Sequence, residues 1–276
     1  QFFKLCDTLR EAGIKVVVTL HTFGVNRFTT SLKHHVDCVV TTKKQDVDLG
    51  TSAVIPLPVR YVDAPTLGQA REALKIDQHA FVVGTHGFWH PHKGITEFLA
   101  TYSDVEMRTK GKPVVYVASG FVPAKSAYFV EARRRNSVML ELQRIRIFPE
   151  YSDYKDIVAR LAACDVCVFY YNVVNHSSAS SAIRDAMILG KPCICTDSPM
   201  FSEFEHEKHV LKVPIQHGTD GDALQKAIIR LFEEPTLRTL LAANAKSYAM
   251  QERASQVAAL HMKLYEKLVS ESVSLT

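Results

Sequence analysis

Three short stretches of the sequence combine residue types that could hold an anionic substrate. The first is the loop Gly84-Thr-His-Gly-Phe-Trp-His-Pro-His-Lys-Gly94, which follows an apolar run and leads into a helical pattern ending near residue 101. Backbone amides, the positive end of a helix dipole and the compact ammonium of Lys93 together favour a diphosphate there. On spacing alone, a surface loop with an incidental lysine explains the pattern equally well.

The second stretch brings four serines to the predicted start of a helix. Ser177, Ser178, Ser180 and Ser181 fall within five positions, whereas a helix cap needs only one serine. We therefore favour phosphate contact at the free helix amides over simple capping. Asp185 follows about one turn later and could accept both hydroxyls of a ribose, although a solvated helix aspartate fits as well.

The third stretch is Val18-Thr-Leu-His-Thr22, in which His21 leaves the end of a predicted buried strand. The chain has twelve histidines, so a single one carries little weight. A polar residue at a strand end is the simpler interpretation of His21 unless further information assigns it to a cleft.

The elements that would position these residues alternate between strand and helix. The predicted strands are near-continuous apolar runs, which is typical of strands buried on both faces of a parallel sheet. They cover residues 15–20, 37–42, 80–84, 113–118, 145–148, 165–170, 192–196 and 210–213. Apolar residues at three- and four-residue spacing lie between them, so we predict a doubly wound α/β fold whose ligands bind at the carboxyl ends of the strands.

A proline-rich segment over residues 56–66 predicts a linker between two domains. Residues 1–60 hold about two αβ units, too few for an independent doubly wound domain. Residues 61–250 hold about six strands with helices between them, a full Rossmann-like count. Residues 251–276 form a final helix. Because the chain begins with Gln1 inside a helical pattern, we expect it to be a fragment.

Composition narrows the classes of partner. The 33 basic and 29 acidic residues give a net charge of +4, and the run Arg133-Arg134-Arg135 fits a solvated helix face, so no nucleic-acid partner is expected. No apolar run approaches the length of a membrane span, and the amphipathic pattern that begins at Gln1 leads us to expect no signal peptide. Cys164-x-x-Cys167 lies in an apolar strand pattern, so we interpret the cysteines as buried thiols of a cytoplasmic protein and expect no metal site.

Taken together, these motifs resemble glycosyltransferase family 4, the retaining GT-B enzymes. Residues 87–94 look like the family's Gly-x-x-x-Pro-x-Lys-Gly loop, and residues 184–192 are similar to its Glu-Ala-Met-Ala-x-Gly-x-Pro signature. Residues 148–153, followed by residues 161–168, look like the family's preceding strand, its helix and the strand that begins with Asp-Val. Residues 18–21 look like the strand end whose histidine lines the catalytic cleft. The resemblance implies a complete C-terminal Rossmann-like domain, a partial N-terminal domain, and a final helix that crosses back to the latter.

The resemblance also implies an activity, namely transfer of a sugar from a nucleoside-diphosphate sugar with retention of configuration, without a cofactor or metal. It assigns catalytic roles to His21 and Lys93. It assigns donor contacts to Gly87, His90, Lys93, Ser177, Ser178, Ser180, Ser181 and Asp185. The acceptor, a glycan, lipid-linked or small molecule, would bind to the N-terminal domain, and lipid-linked acceptors leave a peripheral membrane association open.

Two departures from the family pattern keep other functions open. The family's Glu-x7-Glu motif would place glutamates at positions 177 and 185, where this chain has Ser177 and Asp185. Phe88 or His90 stands where an arginine often precedes the lysine loop. A non-catalytic GT-B module that binds a sugar nucleotide is therefore an alternative, and a sugar-nucleotide epimerase is another.

Overall fold

The computed structural model of the chain describes residues 1–21, 26–43, 49–172, 178–215 and 222–273. The chain divides into two compact units. The first contains Gln1–Arg60 and Gln251–Thr276. It also contains Ser178 and Ala179, a short segment between two stretches of the second unit. The second contains Tyr61–Val174 and Ser180–Met250. The division between Arg60 and Tyr61 falls within the proline-rich segment.

The first unit is a small parallel sheet packed with helices. In chain order its elements are α1 (Phe2–Glu11), β1 (Val17–Leu20), α2 (Arg27–His35), β2 (Cys38–Thr41), β3 (Ser52–Val54) and, at the end of the chain, α12 (Ala254–Val273). The strands pair in the order β1-β2-β3. Val257 of α12 packs against Val40 and Ile55, so the final helix of the chain completes the core of this unit.

Strand β3 is absent from the sequence prediction. It is three residues long, and both Ser52 and Val54 are exposed. A strand this short and exposed has neither the continuous apolar run of β2 nor an alternating pattern. It is recognised as a strand only by its hydrogen-bonded pairing with β2.

The second unit contains a larger parallel sheet between helices. Its strands are β4 (Phe81–His86), β5 (Val114–Ser119), β6 (Ile145–Phe148), β7 (Val166–Phe169), β8 (Cys193–Thr196) and β9 (Leu211–Val213). Its helices are α3 (Leu67–Ala73), α4 (Ile95–Ala100), α5 (Tyr102–Arg108), α6 (Ala127–Arg135), α7 (Ser137–Glu141), α8 (Tyr154–Ala162), α9 (Ser181–Ile188), α10 (Asp222–Glu233) and α11 (Pro235–Gln251).

The strand order of the larger sheet locates the place where a ligand would bind. Among the described residues the six strands lie in the order β6-β5-β4-β7-β8-β9, and all of them are parallel. Counted from β4, this is the order 3-2-1-4-5-6 of Rossmann-like folds. The direction of winding reverses between β4 and β7, so the crevice at their carboxyl ends is the expected binding position.

The apolar runs of the sequence form the centre of this unit. Val82, Val83, Val166 and Val168 are inaccessible to solvent, and α5, α8, α9 and α10 pack on the sheet. The predicted parallel α/β architecture is therefore confirmed. All six cysteines are free and buried, and none of the described helices is long and apolar enough to cross a membrane.

Candidate functional site

A cavity of about 300 Å³ opens at the carboxyl ends of β4, β5 and β6 and at the start of α9. It is built from the second unit alone. Its lining consists of His86, Gly87, Phe88, Lys93, Ser119, Gly120, Phe121, Glu150, Tyr151, Ser152, Ile157, Ser181 and Ala182. The position agrees with the reversal of strand order between β4 and β7.

Backbone approach at two glycines shapes the floor of the cavity. The amide of Gly87 donates to the carbonyl oxygen of Ser119 over 3.0 Å. Gly120 has a φ of +148°, and a Cβ atom there would lie 1.7 Å from the carbonyl oxygen of Gly87. Only glycine therefore permits the ends of β4 and β5 to come this close.

Lys93 reaches the cavity from a single 3-10 turn, Pro91–Lys93, which precedes α4. The turn ends at Gly94, where a Cβ atom would lie 1.9 Å from the carbonyl oxygen of Tyr170, so the lysine loop packs tightly against the end of β7. The Lys93 Nζ atom lies 3.8 Å from the centre of the Tyr171 ring. No carboxylate forms an ion pair with Lys93 in the part of the chain that the structure describes.

Burial sets the protonation of two groups in the cavity. It lowers the pKa of Lys93 to about 8, so the ammonium form prevails near pH 7. It also lowers the pKa of His86 to about 4, with the charges of Arg160 and Lys93 acting in the same direction and a Ser119 backbone contact opposing them. His86 is therefore neutral near pH 7, and Lys93 is the positive group there.

The start of α9 places its serines in different environments. Ser181 is exposed and lines the cavity. Ser180 is buried, and its Oγ atom lies 3.2 Å from the Tyr171 hydroxyl. Arg184 donates to the carbonyl oxygen of Ser180 over 3.0 Å and lies 3.1 Å from a carboxylate oxygen of Glu203. Ser180 thus anchors the helix start, while Ser181 is available to a ligand.

Asp185 lies on the second turn of α9 and is half-buried. The Tyr154 hydroxyl, at the start of α8, donates to its Oδ1 atom over 2.8 Å. A carboxylate held in this way has a defined orientation and retains acceptor capacity for hydroxyl groups.

Ser180, Asp185 and the remaining described residues expected at the site lie outside the cavity lining. His90 is half-buried, and its ring stacks on that of His92 at 5.5 Å. His21 is exposed at the end of β1 and belongs to the first unit, as does the half-buried Ser178. Ser177 lies outside the described residues. The structure therefore brings Gly87, Lys93 and Ser181 together in one cavity.

Sequence reasoning missed an arginine that connects the strand ends beneath the cavity. The Arg160 guanidinium donates to Ser119 Oγ at 3.0 Å, to Ser152 Oγ at 2.7 Å and to Glu150 Oε1 at 2.7 Å. It also lies 4.2 Å from the centre of the Phe148 ring. In the sequence Arg160 is one polar residue of an amphipathic helix. Ligands bind at the carboxyl ends of parallel strands. This rule could have identified the partners of Arg160, because Ser119 ends β5 and Glu150 and Ser152 lie shortly after β6.

The cavity combines one partly buried cation, neutral donors, the Glu150 carboxylate paired with Arg160, and exposed backbone at the ends of several strands. The surroundings of Lys93 suit an anionic ligand, since an ammonium in a partly desolvated site attracts an anion more strongly than one in water. No group of three metal-ligating side chains occurs among the residues that the structure describes.

Comparisons with known proteins give one family. Residues 68–248 match the model of the family described as glycosyl transferases group 1. No curated protein sequence matches the chain.

Solved structures resemble the chain in fold. HepE from Anabaena, in complex with UDP, is 18% identical at a TM-score of 0.78, over 97% of this chain and 76% of HepE. Sucrose-phosphate synthase from Thermosynechococcus elongatus is 19% identical at a TM-score of 0.71, over 96% and 70%. The C-terminal domain of the group 1 protein LpcC from Francisella tularensis is 16% identical at a TM-score of 0.57, over 71% and 94%. These likenesses confirm the GT-B type of fold.

Proposed function

We propose, starting from the premise that this chain belongs to the glycosyl transferases group 1 family, that it binds a nucleoside-diphosphate sugar in the cavity and transfers the sugar with retention of configuration. Lys93 is the observation that carries the proposal. Its ammonium is partly buried at the reversal point of the sheet, and burial has already lowered its pKa. Burial of a charged lysine lowers the stability of the folded chain, and an anion that binds beside Lys93 would offset that loss.

The chemistry follows from where negative charge develops. When the glycosidic bond of the donor breaks, the bonding electrons pass to the leaving nucleoside diphosphate. Lys93 and the free amides at the start of α9, next to Ser181, would stabilise that charge. Because these donors are fixed before the reaction, little reorganisation is needed as charge develops.

Two further donor contacts are part of the proposal. The open backbone at Gly87 would allow the diphosphate to approach β4 closely. Asp185, oriented by Tyr154, would accept the hydroxyls of the ribose. The resemblance to family 4 assigns His21 to the donor sugar, and it is also the basis for retention.

Neither a cofactor nor a metal is part of the proposal, because Lys93 and the helix amides supply the positive charge. Transfer should therefore persist in EDTA. We place the enzyme in the cytoplasm, and the acceptor is a glycan, a lipid-linked sugar or a small molecule.

Binding and transfer test the proposal in two stages. A thermal-shift screen with UDP, GDP, ADP and their sugars should raise the melting temperature, since a ligand of the native state stabilises it. Lys93→Ala should abolish the shift, whereas Lys155→Ala, at an exposed position of α8, should preserve it. Transfer to an acceptor, with the product anomer read by NMR, then tests retention. A full shift in Lys93→Ala would refute the assigned role.

The serine at position 177 supports a second candidate function, a non-catalytic module that binds a sugar nucleotide. This candidate predicts the same thermal shift with neither donor hydrolysis nor transfer, in assays that include a broad set of acceptors. An epimerised sugar nucleotide formed without any acceptor would instead indicate an epimerase.

A further inference from the structure

The cavity has two ends of different chemistry. The strand order β6-β5-β4-β7 places its lining residues in a row across the sheet edge. Lys93 follows β4, and Ser181 follows β7. Glu150 and Tyr151 follow β6, two strands from β4, which corresponds to about 10 Å at the usual spacing between strands. A ligand whose phosphates contact Lys93 therefore has two possible directions: toward the β6 end of the cavity, or away from it.

Aromatic rings line the cavity in a row from the loop after β4 to the loop after β6. Phe121 and Tyr151 both line the cavity, their ring centres are 6.2 Å apart, and they are 42% and 79% exposed. Phe88, also in the lining, lies 6.2 Å from Phe121. Exposed rings beside a cavity offer stacking faces for a planar heterocycle. The base of the nucleotide therefore fits the β6 end, and the diphosphate fits the Lys93 end.

A single carboxylate lies among these rings. Glu150 lines the cavity, and its Oε1 atom accepts from the Arg160 guanidinium at 2.7 Å. Arg160 is itself fixed, since its side chain is 10% exposed and also bonds Ser119 and Ser152. The Glu150 Oε2 atom accepts no hydrogen bond from the described residues. The result is an oriented carboxylate with one oxygen open, and a carboxylate only accepts.

From this arrangement we infer that Glu150 selects guanine, so that the donor is a GDP-sugar; the inference rests on the proposed function. Guanine presents two adjacent donors, N1–H and the N2 amino group, which a carboxylate can accept together. Uracil presents N3–H between two carbonyl oxygens, which a carboxylate repels. Adenine and cytosine each present one amino group next to an unprotonated ring nitrogen. Guanine is therefore the only one of these four bases that offers the carboxylate two adjacent hydrogen-bond donors.

Isothermal titration of the full chain with GDP, UDP, ADP and CDP tests the inference. GDP should bind about tenfold or more tightly than the other three nucleotides, which corresponds to about one net hydrogen bond. Glu150→Gln keeps an oxygen for Arg160 and exchanges the open acceptor for an amide donor. This variant should lose the preference for GDP and gain affinity for UDP.

A gain of UDP affinity distinguishes recognition from a merely structural role for Glu150. Glu141→Gln, at an exposed position of α7, is the matched control and should keep the GDP preference. Tyr151→Ala should lower the affinity for all four nucleotides by a similar factor, because stacking on an aromatic ring does not depend on which base is bound.

The outcomes separate this inference from the proposed function. Tighter binding of UDP, ADP or CDP by the unmodified chain would overturn the guanine assignment and leave the glycosyltransferase proposal intact. An unchanged preference in a folded Glu150→Gln variant would also overturn it. Failure of all four nucleotides to bind would overturn both.

Discussion

The Lys93 Nζ atom lies 3.8 Å above the centre of the Tyr171 ring. The ring belongs to the segment after β7, whereas the lysine follows β4, so the contact joins the two strands between which the winding of the sheet reverses. A cation over an aromatic face is attracted by the ring quadrupole. Tyr171 stays neutral, since burial raises its pKa to about 12. The ring thus positions the ammonium without neutralising it, and the charge remains available to a ligand.

Lys93→Met should stabilise the unliganded protein near pH 7. Burial holds the folded-state pKa at about 8 against 10.5 in the unfolded chain, so the charged lysine destabilises the native state by roughly 3 kcal/mol below pH 8. Between pH 8 and 10.5 the folded state releases its proton first, and the penalty disappears as pH rises. Urea unfolding of both proteins at pH 7 and pH 10.5 should show the difference shrink. Equal stabilities at pH 7 would contradict the stated cause.

Affinity for a nucleoside diphosphate should fall as pH rises through 8. The anion binds the protonated Lys93, and above the pKa of about 8 that form becomes the minority. Binding should lose about tenfold per pH unit well above 8. Titration calorimetry from pH 6 to 9.5 measures the profile. Lys93→Arg, which stays charged throughout, should bind with a flat profile, and a parallel decline in this variant would assign the titration to another group.

Gly120→Ala should disrupt the cavity floor. The new Cβ atom would meet the Gly87 carbonyl oxygen at 1.7 Å, and the backbone φ of +148° is strained for any residue with a side chain. We expect a loss of about 2 kcal/mol or more in stability together with weakened nucleotide binding. Gly111→Ala is the control, because Gly111 also has a positive φ but no neighbour within 4 Å. Similar losses in both variants would show that φ alone is responsible.

Tyr154→Phe should loosen Asp185 and weaken binding of ribonucleotides. Loss of the 2.8 Å hydrogen bond removes one of the contacts that orient the carboxylate. We expect affinity for GDP or UDP to fall about three- to tenfold, the size of one ordinary net hydrogen bond. The 2′-deoxy nucleotides provide the internal control and should be affected less. Equal losses for both sugars would indicate that Asp185 does not contact the ribose.

Arg184→Met should destabilise the chain through its partner. Arg184 is 1% exposed, and its ion pair with Glu203 lies 3.1 Å apart at the base of α9. Removing the guanidinium leaves a largely buried carboxylate, with an expected cost of about 3–5 kcal/mol. The double variant Arg184→Met, Glu203→Met should recover much of that loss in urea unfolding. Additive losses would show that the two side chains act independently.

The sequence by itself determined the architecture of the second unit. Its strands are short, almost wholly apolar runs separated by helical periodicity, and such runs are stable only when a parallel sheet is covered on both faces. Because ligands meet parallel strands at their carboxyl ends, the same reasoning pointed to Lys93 and to the start of α9. Strand β3 escaped prediction, since three residues with two exposed carry no pattern.

Only the tertiary structure decided which polar residues share the cavity. Arg160 bonds Ser119 across 41 positions of sequence, and no local pattern encodes a pairing at that distance. Ser180 and Ser181 are neighbours in sequence, yet one is buried against Tyr171 and the other faces the cavity, because the chain changes from extended at the N-cap Ser180 to helical at Ser181. Strand order brings residues together that the chain keeps apart, and that order depends on packing between whole elements rather than on any short stretch.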